Sequence, residues 1–276
     1  MLIKSISKFF IHFKKIYSME PLSYKTAKVF LEDTYLFKLS DCILVQKQPD
    51  EKDPSNLYLI FDKTICHPQG GGQPSDVGEI IDGNDHYSIL ELSYDKEREN
   101  VLHKIKIKTE EESKKIEIGK KFSMEIDEKR RRLNAKLHSA GHLLDVGVRS
   151  LGLEWKPGKG FHFEESPYVE YIGKIPTDEK LKDILTEKCN ELIKNVAEAD
   201  KMQAKVYEYN DIGKVMKAVP EYLPKDKPIR YLKLFEQDEG CPCGGTHVKH
   251  IKDIGSMKVV KFTKKGKNVR VSYVVD

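Results

Sequence analysis

The chain has 276 residues, with 48 Lys and Arg against 44 Asp and Glu and a formal net charge of +4. Hydrophobic residues make up 39% and charged ones 33%, and no apolar run approaches the ~18–20 residues that span a bilayer. The composition excludes a disordered chain and a helical membrane anchor.

The charge is unevenly placed. Residues 1–18 hold four Lys and no acid; residues 19–128 hold 15 basic and 23 acidic side chains; residues 129–276 hold 29 basic and 21 acidic ones. Such asymmetry hints at a polyanionic partner. The five Cys (Cys42, Cys66, Cys189, Cys241, Cys243) are odd in number, and no secretory signal precedes them. A reducing compartment such as the cytoplasm is therefore expected, where clustered Cys and His point to metal or catalysis.

In chain order, residues 1–18 (MLIKSISKFFIHFKKIYS) read as a basic extension or as a targeting segment for a mitochondrion or plastid, although targeting segments favour Arg and this one has none. Residues 19–125 read as strands: Asp41–Gln46, Leu57–Phe61, His86–Leu92 and Val101–Ile107 are β-rich runs bounded by turn residues. Short strands at that spacing suggest a small barrel or sandwich. The boundary is expected near 110–128. Residues 124–151 carry Leu133, Leu137, Ala140, Gly141, Leu144, Val148 and Leu151 at helical spacing. A second helix is expected over about 178–202, with Ile184, Leu185, Cys189 and Leu192 in its apolar stripe and Cys189 as a small core residue. Residues 168–172, 205–209, 229–235, 257–262 and 268–275 read as strands, so residues 126–276 form an α+β region.

Two residue pairs carry the chemistry. His138 and His142 are four apart, so a helix turns both imidazoles to one side. About 100 residues later, Cys243 and His247 are joined by Gly244, Gly245 and Thr246. Two pairs of borderline-soft donors, N,N and S,N, suit one zinc ion. Four donors fit either a closed structural site or a catalytic site in which one donor sits back. Cys241 lies too close to Cys243 for the usual C-x₂₋₄-C loop and its role stays open, while His250 reads as solvated. Between two strands, the segment Thr64-Ile-Cys66-His67-Pro68-Gln-Gly70-Gly71-Gly72-Gln73-Pro-Ser-Asp76-Val-Gly78 offers exposed backbone amides, but it lacks the Lys-Ser/Thr ending of a phosphate-binding P-loop.

Together His138-Ser-Ala-Gly-His142, Cys243-Gly-Gly-Thr-His247 and Pro68-Gln-Gly-Gly-Gly-Gln73-Pro-Ser-Asp76-x-Gly78 resemble the AlaX-type freestanding alanyl-tRNA editing proteins and the editing domain of alanyl-tRNA synthetases. Gly160-Phe-His162-Phe and Pro167-Tyr-Val-Glu-Tyr171 look like further family elements. The glycine-rich loop points to two-domain members, and without an extended C-terminal region the chain is expected to stand apart from the longest ones. With no synthetase catalytic domain among these residues, charging of tRNA is not expected.

The resemblance implies a β-barrel domain followed by an α+β zinc-containing editing domain. It implies hydrolysis of the ester of mischarged tRNA-Ala, carrying serine or in some members glycine, with alanine spared. It assigns zinc to His138, His142, Cys243 and His247, with the two helical histidines in the catalytic set, and lays the loop against the aminoacyl group. Thr64 and Gln73 are then the expected catalytic and substrate-binding polar side chains, with Gly70, Gly71, Gly72, Asp76 and His162 beside them. Thr64 suits recognition of the serine hydroxyl. Cys66 and His67 stand where the family commonly has aromatic residues, and both are able to ligate metal. For the RNA, Lys129, Arg130, Arg131 and Arg132 precede the metal helix, and residues 247–276 hold eight basic side chains, including Lys264, Lys265 and Arg270, against two acidic ones. No stable protein partner is implied; a monomer or weak dimer is expected. Two other classes compete: a zinc-stabilised RNA-binding module without catalysis, and a zinc hydrolase of another small ester.

Overall fold

A computed structural model describes residues 24–276; the segment 1–18 and its possible targeting role lie outside the described residues. The chain divides into two compact units. One holds residues 24–29 with Phe37–Cys66 and Val77–Ile126; the other holds Phe30–Leu36, His67–Asp76 and Asp127–Asp276. The molecule is thus a mixed α and β protein, and the glycine-rich loop groups with the second unit.

The first unit begins with the short strand β1 (Ala27–Lys28), followed by β2 (Lys38–Pro49), β3 (Asn56–Phe61), β4 (Lys63–Thr64), β5 (Gly78–Asp82), β6 (Asp85–Asp95) and β7 (Asn100–Lys106). A helical turn α1 (Glu110–Lys115) leads to β8 (Lys121–Ile126). Six strands close into a barrel in the order β2-β3-β7-β6-β5-β8. Closure leaves no unpaired edge among them. Leu44, Leu59, Phe61, Ile80, Ile105, Phe122 and Met124 are buried in this unit. Each comes from a strand with alternating or continuous apolar character, which is why β2, β3, β6 and β7 were legible. β8 falls partly inside the expected helical region, because Phe122, Met124 and Ile126 alternate with period two rather than 3.6.

In the second unit, α2 (Glu128–Ser150) is followed by β9 (Lys156–Phe161), β10 (Tyr168–Ile172), α3 (Leu181–Asn195), β11 (Gln203–Tyr207), the short α4 (Tyr209–Ile212), β12 (Ile229–Lys233), β13 (Cys241–Pro242), β14 (Met257–Lys265) and β15 (Asn268–Val275). An antiparallel sheet runs β14-β15-β10-β9, and a smaller one runs β11-β12-β13. The core joins Leu137, Ala140, Leu144 and Val148 of α2 with Leu185 and Cys189 of α3 and Val169, Val259 and Val271 of the larger sheet. Cys189 is fully buried, as a small core residue should be.

α2 starts at Asp127, whose carboxylate accepts the Arg130 N–H at 2.8 Å, an N-cap that satisfies a backbone donor otherwise left over. It stops at Leu151, with Gly152 beyond it at φ 67°. α3 is shorter than the expected 178–202, because Val196 turns extended at φ −66°, ψ 133°. Ile184, read as part of its buried stripe, is instead 41% exposed. Among the described residues no helix is long and apolar enough to cross a membrane.

Candidate metal centre

α2 is buried on two sides. Besides its apolar stripe, it buries a polar one: Arg131, Asn134, His138 and Ser139. Helical periodicity places these residues on one or two neighbouring rows. At this polar side His138 and His142 present their rings 5.0 Å apart and nearly parallel. The facing donors come from the loop after β13. There the Cys243 N–H donates to the Arg230 carbonyl at 3.0 Å, and the Arg230 guanidinium donates back to the Cys243 carbonyl at 2.9 Å and the Gly245 carbonyl at 3.2 Å. Arg230 was not singled out from sequence; only the fold brings it to the loop. Gly245 is the close-approach residue: a β-carbon there would overlap the His138 ring.

One donor atom each from His138, His142, Cys243 and His247 lies within 4.8 Å of all the others. Cys243 Sγ sits 3.5 Å from His138 Nε2, 3.4 Å from His142 Nε2 and 3.2 Å from His247 Nε2. Tetrahedral zinc with ordinary Zn–N and Zn–S bonds holds such atoms about 3.6 Å apart, so the three separations suit it. The residues therefore fit the ion that the spacing suggested. The Gly245 N–H also points at Cys243 Sγ, at 3.4 Å, and stabilises a thiolate.

The other nitrogen of each imidazole has its own neighbour. His138 Nδ1 lies 2.9 Å from Gln73 Oε1. His247 Nδ1 lies 3.3 Å from Ser139 Oγ, which also accepts the Val248 N–H at 3.1 Å. His142 Nδ1 lies 3.3 Å from Cys241 Sγ and 4.0 Å from Asp145 Oδ2. With Nδ1 protonated, each ring turns a lone pair on Nε2 toward the common centre. Cys241 thus acquires a place: it neighbours His142 and stands outside the four-donor group.

Gln73 is fully buried. Its amide donates to Thr246 Oγ1 at 2.9 Å, and its Oε1 also accepts the Thr246 N–H at 2.9 Å. The side chain expected to meet substrate is instead tied to the metal-binding residues. It arrives there through a tight turn: Gly70 and Gln73 exchange both backbone hydrogen bonds, at 3.1 and 2.9 Å, around Gly71 at φ 58° and Gly72 at φ 83°. Two consecutive positive φ values call for glycine. A β-carbon on Gly72 would also overlap the Gly160 carbonyl, and the Gly72 carbonyl accepts the His162 N–H at 2.8 Å. Gly70 and Gly71 are exposed, and the Gly71 and Gly72 amides have no partner among the described residues.

Burial dominates the protonation of the cluster. It holds His142 down at about 4, and it holds His138 and His247 well below 6.5, with neighbouring imidazoles pushing the same way. All three rings are neutral at pH 7, the state a metal requires. Burial raises the Cys243 thiol, opposed by the Gly245 N–H and Arg230. His162 stacks on His138 with ring centres 4.6 Å apart, and burial lowers it to about 3. Its Nδ1 lies 2.7 Å from Tyr273 Oη, whose proton goes to the Leu137 carbonyl at 2.8 Å.

Other expected site residues are placed differently. Thr64 is fully buried in the barrel unit, with its hydroxyl 2.8 Å from His103 Nε2 and accepting the Cys66 N–H at 3.0 Å. Asp76 and Arg131 are both buried and form an ion pair with each other; Asp76 also accepts the His67 N–H at 2.6 Å. Arg131 is therefore no surface for RNA, and Asp76 is no open ligand for a substrate: the buried charges neutralise one another. Neither Cys66 nor His67 joins the donor group. His67 Nδ1 is buried without a partner among the described residues. His250, read as solvated, is 8% exposed; its Nδ1 accepts the Lys252 N–H at 3.0 Å, capping a short helical turn. Of the remaining basic residues, Arg130 donates to the Ser75 carbonyl at 3.0 Å, Arg132 pairs with Glu128, and Arg270 pairs with Glu170 and lies 3.8 Å over the Tyr168 ring. Lys129, Lys264 and Lys265 are exposed.

Residues 235–270, which include Cys243 and His247, match the family described as the threonyl and alanyl tRNA synthetase second additional domain. Over 250 residues, 88% of this chain, the sequence is 30% identical to alanyl-tRNA editing protein AlaX-L of Pyrococcus horikoshii. The chain is similar to AlaX-type alanyl-tRNA editing proteins over most of its length. It is also 24% identical over 243 residues to AlaX-M of Methanosarcina barkeri, covering 84% of this chain and 95% of that protein. It is 33% identical over 219 residues, 76% of its own length, to the alanine–tRNA ligase of Methanobrevibacter smithii. It spans 56% of AlaX-L and 23% of that ligase. The motif resemblance to the AlaX-type family thus rests on most of the chain and not on the motifs alone.

Proposed function

We propose that the chain is a trans-editing deacylase, hydrolysing the ester of Ser-tRNA-Ala and of Gly-tRNA-Ala while sparing Ala-tRNA-Ala, at a centre holding one zinc ion. The observation that carries this reading is the His₃Cys donor set, with His138 and His247 buried and His142 and Cys243 partly buried, and a glycine turn against it: the site a β-carbon would occupy on Gly71 lies 4.0 Å from His138 Cε1. When bound by His138, His142, Cys243 and His247, zinc supplies Lewis-acid polarisation.

The chain's own groups then have distinct tasks. The Gly71 and Gly72 amides donate to the ester carbonyl as negative charge develops on its oxygen. Neutral His162 is fixed by Tyr273 through Nδ1, and its Nε2, without a partner among the described residues, accepts a hydrogen bond from the attacking water. Gln73 and Thr246 hold His138 in register. Serine is distinguished from alanine by its hydroxyl, whose absence leaves a polar partner unsatisfied. The RNA is gripped through phosphate by Lys129, Arg130, Arg132, Lys264, Lys265 and Arg270. The cytoplasm fits this role; residues 1–18 are the basis for an organellar alternative.

Four protein donors also form the closed set typical of structural zinc. That observation favours the second reading, a zinc-stabilised RNA-binding module without catalysis. Incubating Ser-, Gly- and Ala-tRNA-Ala with the protein, with and without a chelator, separates the two: the deacylase releases serine and glycine, and the module binds tRNA and releases nothing.

A further inference from the structure

The second unit carries an open pocket of about 410 Å³ whose lining includes none of the four donors: Tyr35, Arg132, Lys136, Val248, Lys249 and Asp253. Arg132 and Lys136 stand on successive turns of α2, and Lys249 lies two residues beyond His247. Two of the three cations converge on one aromatic side chain. The Arg132 guanidinium carbon lies 4.9 Å from the centre of the Tyr35 ring, and Lys249 Nζ lies 5.1 Å from it. The single carboxylate in the lining, Asp253, accepts the His250 N–H at 3.0 Å as part of a capping box. Lys136 spends one donor on the Asp276 main-chain oxygen at 2.7 Å, and the Arg132–Glu128 pair is about half exposed, hence weak. Like charges gathered in a concavity repel, and an anion relieves that cost.

We propose that this pocket takes a phosphodiester of the RNA substrate, held by Lys136, Lys249 and Arg132, with the adjoining nucleotide against Tyr35. This rests on the reading that the substrate is a tRNA. A phosphate meets three cations, and a neighbouring planar base or ribose meets an aromatic wall. Exposed lysines such as Lys264 and Lys265 do not line this pocket, so the pocket fixes register where they only add attraction.

The test uses the full chain and uncharged tRNA-Ala, so that binding is read without catalysis. Lys136→Ala/Lys249→Ala is compared with Lys136→Arg/Lys249→Arg and wild type, with zinc content and melting temperature confirming folding. Binding is measured from 50 to 200 mM salt. The double alanine variant is expected to bind roughly tenfold more weakly, with a log–log salt slope shallower by about 0.7–0.9, the loss of one neutralised phosphate. The arginine variant keeps both values near wild type. Equal affinity and slope in the alanine variant would overturn the pocket and leave the deacylase reading standing. No tRNA binding by wild type would overturn both. A second arm follows melting temperature in inorganic phosphate: saturable stabilisation of wild type at submillimolar phosphate, absent in the alanine variant, would identify a free anion as the occupant and overturn the RNA assignment.

Discussion

Gln73 shows how a residue's surroundings change its meaning. Sequence put it at the aminoacyl group; the structure ties its amide to His138 and Thr246. A group that orients a metal-ligating imidazole typically governs affinity by about 10–100-fold. Gln73→Ala is therefore expected to weaken zinc by that factor in a competition titration with a chromophoric chelator, while the four donors remain. Unchanged zinc affinity would return Gln73 to the substrate. The four donors themselves were legible, because i,i+4 spacing and a Gly-Gly bridge are local signals. Their neighbours Ser139, Cys241 and Arg230 were not, since those contacts join positions far apart in sequence. Thr64 is a similar case: its partner His103 is 39 residues away and comes from a different strand.

At the level of elements, the run Lys129–Arg132 was read as one basic patch. A helix separates such neighbours by about 100° each, so they face different surroundings. Arg131 turns inward to Asp76 and the Thr34 carbonyl, at 2.9 Å from the latter, while Arg132 stays exposed. Removing one partner of a buried ion pair strands the other charge and costs about 3–5 kcal/mol. Asp76→Asn is expected to lower stability by that order in denaturant melts, because it leaves Arg131 buried without its counter-charge; a loss under 1 kcal/mol would mean that the pair is dispensable. The longer strands were legible from alternation, with β10 and β15 matching at both ends. The strands not expected include the two-residue β1, β4 and β13 and also β5, β8 and β9, which are short or carry glycine and lysine; their pairing depends on partners elsewhere in the chain. The end of α3 was missed because a single backbone turn at Val196 sets it.

For the whole molecule, burial makes several histidines acid-sensitive. His103 in the barrel unit and His67 in the second unit are both held down at about 4 by desolvation. Below the ordinary value of 6.5 the unfolded chain takes up protons that the folded chain refuses. Their contribution is fully present above pH 6.5 and is lost as pH falls toward and through about 4. The melting temperature should drop across that window, and His103→Gln should flatten part of the slope by removing a titrating group. An identical pH profile in the variant would mean that His103 does not contribute.

The charge asymmetry also gains meaning at this scale: the basic half contains the donor set and, apart from Tyr35, the cationic pocket. The central claim is that this centre performs ester hydrolysis. Its most direct test is the release of serine from Ser-tRNA-Ala by the zinc-loaded protein, beside Ala-tRNA-Ala and a chelated sample. The account predicts rapid loss of serine, little loss of alanine, and loss of activity when zinc is stripped and its return on re-addition. Intact Ser-tRNA-Ala in the presence of folded, zinc-loaded protein would contradict it.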